Sequence, residues 1–306
     1  MIFRLITAAL LAVSISACVS FPDAPSPTVS PHLEKDYVVS VDGARLGLTR
    51  WPAEKAKAAI VAVHGMNDYA AAYSYAGPYW SERGVSVYAY DQRGFGRSTD
   101  FGRWPGDDVL RQDLRAVIAA VRVENPGLPL YVVGHSMGSA VIMTAMRDAP
   151  LDADGIILGA PGVWGGASMS IFYRVALNVA ATFTPGKTLT GERAGRQASD
   201  NIDFLRRMYE DPLVIKATRL DAILGVERLM GEAYDAADEI SGDMLLLYGL
   251  KDEIIPTDIL MKTADRLPET LDEIAFADSW HMIFADLERE KPLQAVIDWI
   301  AEDRAE

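Results

Sequence analysis

The stretch that decides the fold is Leu130-Tyr-Val-Val-Gly-His-Ser-Met-Gly138. Its first four residues form an apolar run typical of a buried strand, and an apolar helix is expected from Ala140 to Met146. Between them lies Gly-x-Ser-x-Gly, with Ser136 at its centre. In this order of strand, tight turn and helix, the glycines let the two elements approach closely, so that the serine hydroxyl projects above the sheet. The stretch therefore predicts that Ser136 is a nucleophile.

Alternating strands and helices surround this stretch. Apolar runs predict buried strands at 58–63, 85–90, 155–158 and 244–248, and a short strand is expected at 273–276. Helical patterns lie between them, at 72–83, 107–122 and 257–266, and a last helix is expected from Pro292 onward. A hairpin around Asp42-Gly43 precedes them. This order predicts the α/β class, with a mostly parallel central sheet and helices on both faces.

The alternation stops between about residues 161 and 240. Helices are expected there around 169–183, 203–209 and 220–233, so that this segment is predicted to be an all-helical cap inserted into the chain order of the sheet. We assign residues 36–160 and 241–306 to the core domain. The apolar residues of the cap would pack against the core and, over Ser136, could also line a site for a hydrocarbon chain.

The first 35 residues have a different character. An apolar run of about 13 residues, Leu5–Ala17, follows Arg4, and it is shorter than the roughly 20 residues that span a bilayer. Residues 1–17 are therefore predicted to be a signal peptide. Its end, Ile15-Ser16-Ala17-Cys18, resembles a bacterial lipoprotein processing site, which implies a lipid on the sulfur of Cys18; an incidental cysteine after a plain export signal is the alternative. Residues 18–35 are proline-rich, and we expect them to be a tether without a fold before about Asp36.

Composition excludes several classes of function. The net charge of −14 makes nucleic acid an unsuitable partner. The chain has one cysteine and four scattered histidines, so we expect no metal site and no cofactor. Half of the 306 residues are hydrophobic, which allows a large core and excludes global disorder. We expect a monomer.

The four histidines provide few candidates for the base that Ser136 needs. His32 lies in the tether, and His64 follows a predicted strand. His135 is inside the Gly-x-Ser-x-Gly turn at residues 134–138, which we call the elbow, and its ring cannot easily reach Ser136 from there. His281, after the last predicted strand, remains as the base. In this motif the partners follow in the order serine, acid, histidine.

The acid should then follow a strand between the nucleophile and the base. Asp252, in the turn after the 244–248 strand, fits this position. Its role would be to hold the tautomer of His281 and to stabilise the imidazolium. Glu253 and Asp278 are the competing carboxylates. For the oxyanion hole we expect the backbone N–H groups of Met137, directly after the nucleophile, and of Met66, in the loop after the 58–63 strand.

Six motifs in the same order resemble the monoacylglycerol lipase and lysophospholipase group of α/β-hydrolases: His-Gly-Met at 64–66, Asp-Gln-Arg-Gly-Phe-Gly-Arg-Ser at 91–98, the elbow, Asp-Pro-Leu at 211–213, Gly-Leu-Lys-Asp at 249–252 and Trp-His-Met at 280–282. The resemblance implies the α/β-hydrolase fold, Ser136, Asp252 and His281 as a catalytic triad, Met66 and Met137 as oxyanion donors, and a cap that shapes a narrow acyl tunnel. The chain departs from the group at Asn67-Asp68-Tyr69, where monoacylglycerol lipases often carry a histidine, so the resemblance does not extend to the headgroup.

The expected function is hydrolysis of a carboxylic ester of one fatty acyl chain, by an exported enzyme with a lipid anchor in the bacterial outer membrane, facing the periplasm. The substrate would be a small lipid or ester. A general carboxylesterase, a serine peptidase or a carbon–carbon bond hydrolase on the same fold is the first alternative. A binding lipoprotein of the cell envelope that has lost turnover is the second.

Overall fold

The computed structural model describes residues 19–191 and 195–303. The strands are β1 (His32–Leu33), β2 (Tyr37–Val39), β3 (Arg45–Trp51), β4 (Ala58–Val63), β5 (Val85–Tyr90), β6 (Leu130–His135), β7 (Gly155–Gly159), β8 (Thr188–Thr190), β9 (Ala217–Arg219), β10 (Met244–Gly249) and β11 (Leu271–Phe276). The α-helices are α1 (Ala76–Ser81), α2 (Asp107–Glu124), α3 (Met137–Asp148), α4 (Ile171–Phe183), α5 (Ile202–Glu210), α6 (Leu220–Ala236), α7 (Thr257–Ala264) and α8 (Glu290–Asp303).

A nine-stranded sheet forms the centre of the molecule, in the order β1-β2-β3-β5-β4-β6-β7-β10-β11. The strands from β5 to β11 in this order are parallel, whereas β1, β2 and β3 pair in antiparallel fashion at one edge. Strands β4, β5, β6, β7 and β10 are buried along their whole length, which explains their continuous apolar sequences. The predicted α/β class with a mostly parallel sheet is confirmed.

Helices cover both faces of this sheet. Side chains of α2, α3 and α7 form one buried apolar cluster with the first face, and this cluster also includes residues of α6. Side chains of α1 and α8 form the other cluster, with Trp80, Phe284 and Trp299 among its aromatic members. The helix expected over 72–83 is interrupted, because a 3₁₀ turn at Ala70–Tyr73 precedes the shorter α1.

The segment inserted between β7 and β10 carries α4, α5 and α6, but it is not all-helical as expected. Strands β8 and β9 pair in antiparallel fashion, with Thr188 opposite Arg219 and Thr190 opposite Ala217. The two strands are about 30 residues apart and only three residues long, so no local pattern marks them. Helix α6 packs against α3 and thereby attaches the cap to the core.

The expectation of no fold before Asp36 is wrong. Strand β1 pairs with β2. Residues 19–31, which we call the N-terminal strap, contact the domain at several points, among them two hydrogen bonds from the Thr28 and Val29 N–H groups to the Val41 carbonyl. Phe21 packs edge-on against Trp104 with ring centroids 6.4 Å apart, and Arg228 of the cap donates a hydrogen bond to the Val19 carbonyl at 2.8 Å. The Pro25 carbonyl accepts from Gln112 of α2. Prolines stiffen the strap. Phe21 and the Pro25 carbonyl contact the core, and the Val19 carbonyl contacts the cap.

The predicted signal peptide and Cys18 lie outside the described residues. Over residues 19–191 and 195–303, no helix has the combination of length and apolar sequence needed to cross a bilayer.

Candidate active site

The proposed catalytic residues all follow strands at one edge of the sheet. Met66 comes after β4, Ser136 after β6, Asp252 after β10 and His281 after β11. These strands are parallel, so their carboxyl ends lie at the same edge, where α/β proteins bind their ligands. The topology therefore places the four residues on one side of the molecule.

Ser136 stands in a strained turn between β6 and α3. Its φ of 52° and ψ of −118° are unfavourable for a residue with a side chain. A Cβ on Gly138 would lie 2.1 Å from the Val63 carbonyl oxygen, and one on Gly134 would lie 2.5 Å from the Ser139 nitrogen. Because only hydrogen fits at both positions, the two glycines allow β6, α3 and β4 to meet tightly around the serine.

Asp252 and His281 form a buried pair. The Nδ1 atom of His281 lies 2.7 Å from Asp252 Oδ2, and Oδ1 accepts hydrogen bonds from the N–H groups of Ile254 and Ile255. Burial alone would raise the pKa of Asp252, but the charge and hydrogen bond of His281 and the two N–H donors lower it below its ordinary value overall. The carboxylate is thus ionised at neutral pH and fixed on both oxygens.

The competing carboxylates have other partners. Glu253 is exposed and accepts from the backbone N–H of Gln197 in the cap, at 2.7 Å. Asp278 is also exposed and forms an ion pair with Lys251 at 2.8 Å. The structure therefore places Asp252, of the three candidates, against His281.

Two further histidines support the site through hydrogen bonds to the backbone. The Nε2–H of His135 donates to the His281 carbonyl at 2.9 Å, and burial, together with His281, lowers the pKa of His135 to about 3. His64 accepts from the Gln92 N–H at 2.9 Å, and burial lowers its pKa to about 4. Both rings are thus neutral. His135 connects the elbow to the loop that carries His281, and His64 connects the loop after β4 to the loop after β5.

The two expected oxyanion donors lie next to the elbow. The position of a Cβ on Gly65 is 3.3 Å from the Ser136 Cβ, so the loop that continues to Met66 passes directly against the nucleophile. The Met137 N–H belongs to the first residue of α3, where the helix dipole adds positive potential. A Cβ on Gly162 would lie 3.1 Å from the Met137 nitrogen, and glycine there leaves the surroundings of this N–H free of a side chain.

Asp286 is a residue of this site that the sequence did not reveal. It is fully buried, its Oδ2 accepts from the Trp280 N–H at 2.6 Å, and its Oδ1 accepts from the Ser199 hydroxyl at 2.5 Å. Burial raises its pKa to about 6. Asp286 thereby fixes the loop of His281 to Ser199, which lies in the cap segment just before α5. In the sequence it looks like any acidic residue just before a helix.

The 91–98 motif also acts through positioning. Asp91 is buried, accepts from the Ala70 N–H at 3.0 Å and forms an ion pair with Arg97 at 2.8 Å. It therefore shapes the loop that follows β4. Among the residues that the structure describes, no group of three or more histidine, cysteine, aspartate or glutamate side chains could hold a metal ion.

Known proteins resemble this chain in sequence and in fold. The chain is 25% identical over 279 residues to the monoacylglycerol lipase of Mycolicibacterium smegmatis, covering 89% of this chain and 98% of that protein. It is 24% identical over 270 residues to the monoglyceride lipase of Homo sapiens, covering 86% of this chain and 88% of that protein. Its fold is similar to that of a soluble variant of monoglyceride lipase from Saccharomyces cerevisiae, solved in complex with a substrate analogue, with a TM-score of 0.75 at 17% identity over 93% of this chain and 99% of that one.

A family profile provides the assignment. The profile of Hydrolase_4, described as serine aminopeptidase, S33, matches residues 54–288. This match includes the elbow, the turn of Asp252 and the loop of His281. The chain therefore has the α/β-hydrolase fold and belongs to the Hydrolase_4 family.

Proposed function

We propose that the protein is a serine hydrolase that cleaves the carboxylic ester of a single fatty acyl chain, as a monoacylglycerol lipase or lysophospholipase does. The observation that carries this proposal is the buried pair of Asp252 and His281 at the sheet edge where Ser136 occupies a strained turn. The similarity to monoacylglycerol lipases in sequence and fold supports the ester as substrate.

The reaction would proceed through an acyl-enzyme. Ser136 Oγ attacks the ester carbonyl carbon while His281 Nε2 takes the hydroxyl proton, and the Nδ1–H of His281 remains bonded to Asp252. The N–H groups of Met66 and Met137 stabilise the oxyanion. His281 then gives its proton to the leaving alcohol. A water molecule, deprotonated by His281, attacks the acyl-enzyme and releases the fatty acid and Ser136.

Partly buried apolar side chains on segments near the site support an acyl chain as the bound group. Partly buried side chains pack against the main core on the segments that adjoin the site: Met66, Trp164, Ile215, Met230 and Ile254. Met66 lies in the loop against the nucleophile, and Ile254 follows the acid. An ester with a hydrocarbon chain suits such a lining.

An aminopeptidase, the activity in the description of the family, is less well supported. It would need a carboxylate to bind the amine of its substrate. Three carboxylates of the described cap already have partners: Asp211 accepts from Tyr69, Glu227 is bound by the Gly166 N–H and Arg174, and Glu232 is bound by Arg111 and Arg147 of the core. The geometry therefore favours the ester.

We further propose that the enzyme acts at a membrane, anchored through a lipid on Cys18 in the outer membrane facing the periplasm. Helix α4 of the cap supports a membrane-facing orientation, because Phe172 is 85% exposed and Phe183 is 75% exposed. Val19, the first described residue, packs with Leu177 and Ala181 of this helix, so the residue before it would emerge beside the apolar surface.

Hydrolysis of p-nitrophenyl esters of increasing acyl length tests the reaction, with aminoacyl p-nitroanilides as peptidase substrates. We expect the rate of hydrolysis to be highest with medium or long acyl chains. Ser136→Ala should leave at most the acceleration over water that binding and the oxyanion hole supply, roughly 10³–10⁴-fold. Ser241→Ala, at an exposed serine, is the matched control. Turnover of the anilides alone would contradict the ester assignment, and activity on acetate alone would contradict the acyl chain.

Fractionation of cells tests the anchor. Cys18→Ser should move active enzyme from the membrane fraction to the soluble fraction. Retention of that variant on membranes after a salt wash would contradict attachment through a lipid on Cys18.

A further inference from the structure

The loop after β4 is joined to the cap by three hydrogen bonds. The Asn67 carbonyl accepts from the Ile215 N–H at 2.9 Å, and the Asn67 side-chain amide donates to the Thr218 hydroxyl at 2.8 Å. The Tyr69 hydroxyl donates to Asp211 Oδ2 at 2.6 Å. All three partners lie in the segment that joins α5 to α6. This loop carries Met66, so the cap contacts the chain one residue after an oxyanion donor.

The conformation of Asn67 depends on those contacts. Its φ of 66° lies in the left-handed region, which asparagine tolerates better than most residues but still at a cost. Both its carbonyl and its side-chain amide are bound by the cap. Without the cap, the strain would have no compensating hydrogen bonds, and the turn after Met66 could relax.

The other hydrogen bonds described for the loop are made to the core or within the loop itself. His64 is held by Gln92, and the Asp68 carboxylate accepts from the Tyr69 N–H at 2.7 Å. Burial raises the pKa of Asp68 to about 7. The start of the loop is thus fixed to the core through His64, and its far end is fixed to the core through the Ala70 N–H and Asp91. Asn67 and Tyr69, which lie between these two points and follow Met66, are bonded to the cap.

Asp211 has the geometry of a fixed acceptor for Tyr69. Its Oδ1 accepts from the Leu213 N–H at 2.8 Å, so the Asp-Pro-Leu turn orients the carboxylate, and Oδ2 is left for the tyrosine hydroxyl. This pairing links two features of the sequence that the triad does not explain, the Asp-Pro-Leu motif and the replacement of the expected histidine by Asn67-Asp68-Tyr69.

We propose that Asn67 and Tyr69 are positioning residues that couple the cap to the oxyanion hole, so that the Met66 N–H is held in its productive orientation only while the cap is bound to this loop. The inference deepens the proposed function and rests on it. Its consequence is that contacts between cap and loop determine the turnover of bound substrate, in addition to any effect on the binding of the acyl chain.

Steady-state kinetics on p-nitrophenyl butyrate test this coupling. Tyr69→Phe and Thr218→Val each remove one hydroxyl, and each should lower kcat about tenfold with KM within about twofold, since complete loss of an oxyanion donor costs roughly 10²–10³-fold. The affinity for an alkyl boronic acid, which forms a tetrahedral adduct with the nucleophile, should fall in parallel. Thr218→Ser keeps the acceptor and should restore kcat. Tyr209→Phe, at an exposed tyrosine of α5, is the matched control.

Hydrogen exchange of the loop gives a readout that does not require turnover. The amides of residues 65–68 should exchange several-fold faster in Tyr69→Phe and in Thr218→Val than in the unmodified protein. Unchanged exchange there, or unchanged kcat and boronate affinity despite a lower melting temperature, would show that these contacts only attach the cap, and would overturn the proposal. If the unmodified protein and Ser136→Ala were equally inactive on all esters, the proposed function would fail, and exchange would still decide whether the cap orders the loop.

Discussion

The substitution Asp252→Asn gives a sharp test of the triad. Asp252 Oδ1 accepts two backbone N–H groups, from Ile254 at 2.7 Å and Ile255 at 2.9 Å, while Oδ2 faces His281 Nδ1 at 2.7 Å. In an asparagine the carbonyl oxygen must remain with the two N–H donors, because the NH₂ group cannot accept from them. The NH₂ group is thereby directed at His281.

This orientation would invert the tautomer of the base. The NH₂ group donates a hydrogen bond, so His281 Nδ1 becomes an acceptor and the ring proton moves to Nε2. A ring protonated at Nε2 cannot take the proton of Ser136. We expect kcat to fall about 10⁴-fold with little change in KM, the size of effect that a wrong tautomer produces in a serine triad.

The assay is hydrolysis of p-nitrophenyl butyrate at pH 8, with the melting temperature measured in parallel to verify folding. Glu253→Gln and Asp278→Asn are the matched controls, since both change a neighbouring carboxylate to its amide, and both should stay within about threefold of the unmodified enzyme. A loss of less than about tenfold for Asp252→Asn, or a larger loss for one of the controls, would refute the assignment of the acid.

Three other substitutions test the surroundings of the site. Gly138→Ala places a Cβ 2.1 Å from a backbone oxygen of β4 and should destabilise the fold by about 3 kcal/mol in urea denaturation, whereas Gly191→Ala, with nothing within 4 Å, should be tolerated. Asp286→Asn should change the dependence of the melting temperature on pH. The pKa of Asp286 is raised to about 6 in the folded state, so between pH 4 and pH 6 the native carboxyl keeps a proton that the unfolded chain loses, and the native protein loses stability as the pH rises. The variant lacks this group and should gain stability relative to the unmodified protein as the pH rises from 4 to 6. Equal slopes for the two proteins would contradict this. Phe21→Ala should lower the free energy of unfolding by about 1–2 kcal/mol and Phe101→Ala, at an exposed ring, by less than about 0.5 kcal/mol; equal effects would mean that the strap contributes no stability.

Most of the central sheet was predictable because its strands are buried on both faces. The predicted bounds of β4 and β5 coincide with the observed ones, and the predicted start of β6 is also correct. The elbow was also recognisable from local sequence, because backbone contacts at Gly134 and Gly138 leave no room for a side chain and therefore require glycine. Local sequence carries this information.

The features that escaped prediction depend on contacts between distant residues. Strands β8 and β9 form by pairing with each other across the cap segment. Asp286 acts by binding Ser199 and the Trp280 N–H. The strap contacts Trp104 and Arg228, which lie far along the chain. Nothing within a window of the sequence distinguishes these residues from surface residues. The catalytic roles of Ser136, Asp252 and His281, of the Met66 and Met137 N–H groups, and of Cys18 stay predictions that the experiments above address.

The docked strap has a consequence for how the enzyme would search for substrate. A flexible spacer would let an anchored domain tumble and sample solution within its reach. Here Val19 is already held by the cap, so a lipid on the preceding residue would leave almost no free chain between bilayer and fold. Diffusion would then be confined to two dimensions with the cap at constant height, and turnover would depend on the mole fraction of substrate in that leaflet and not on its bulk concentration. Spacers inserted before Val19 would restore tumbling and leave the strap, and hence the stability of the domain, unchanged.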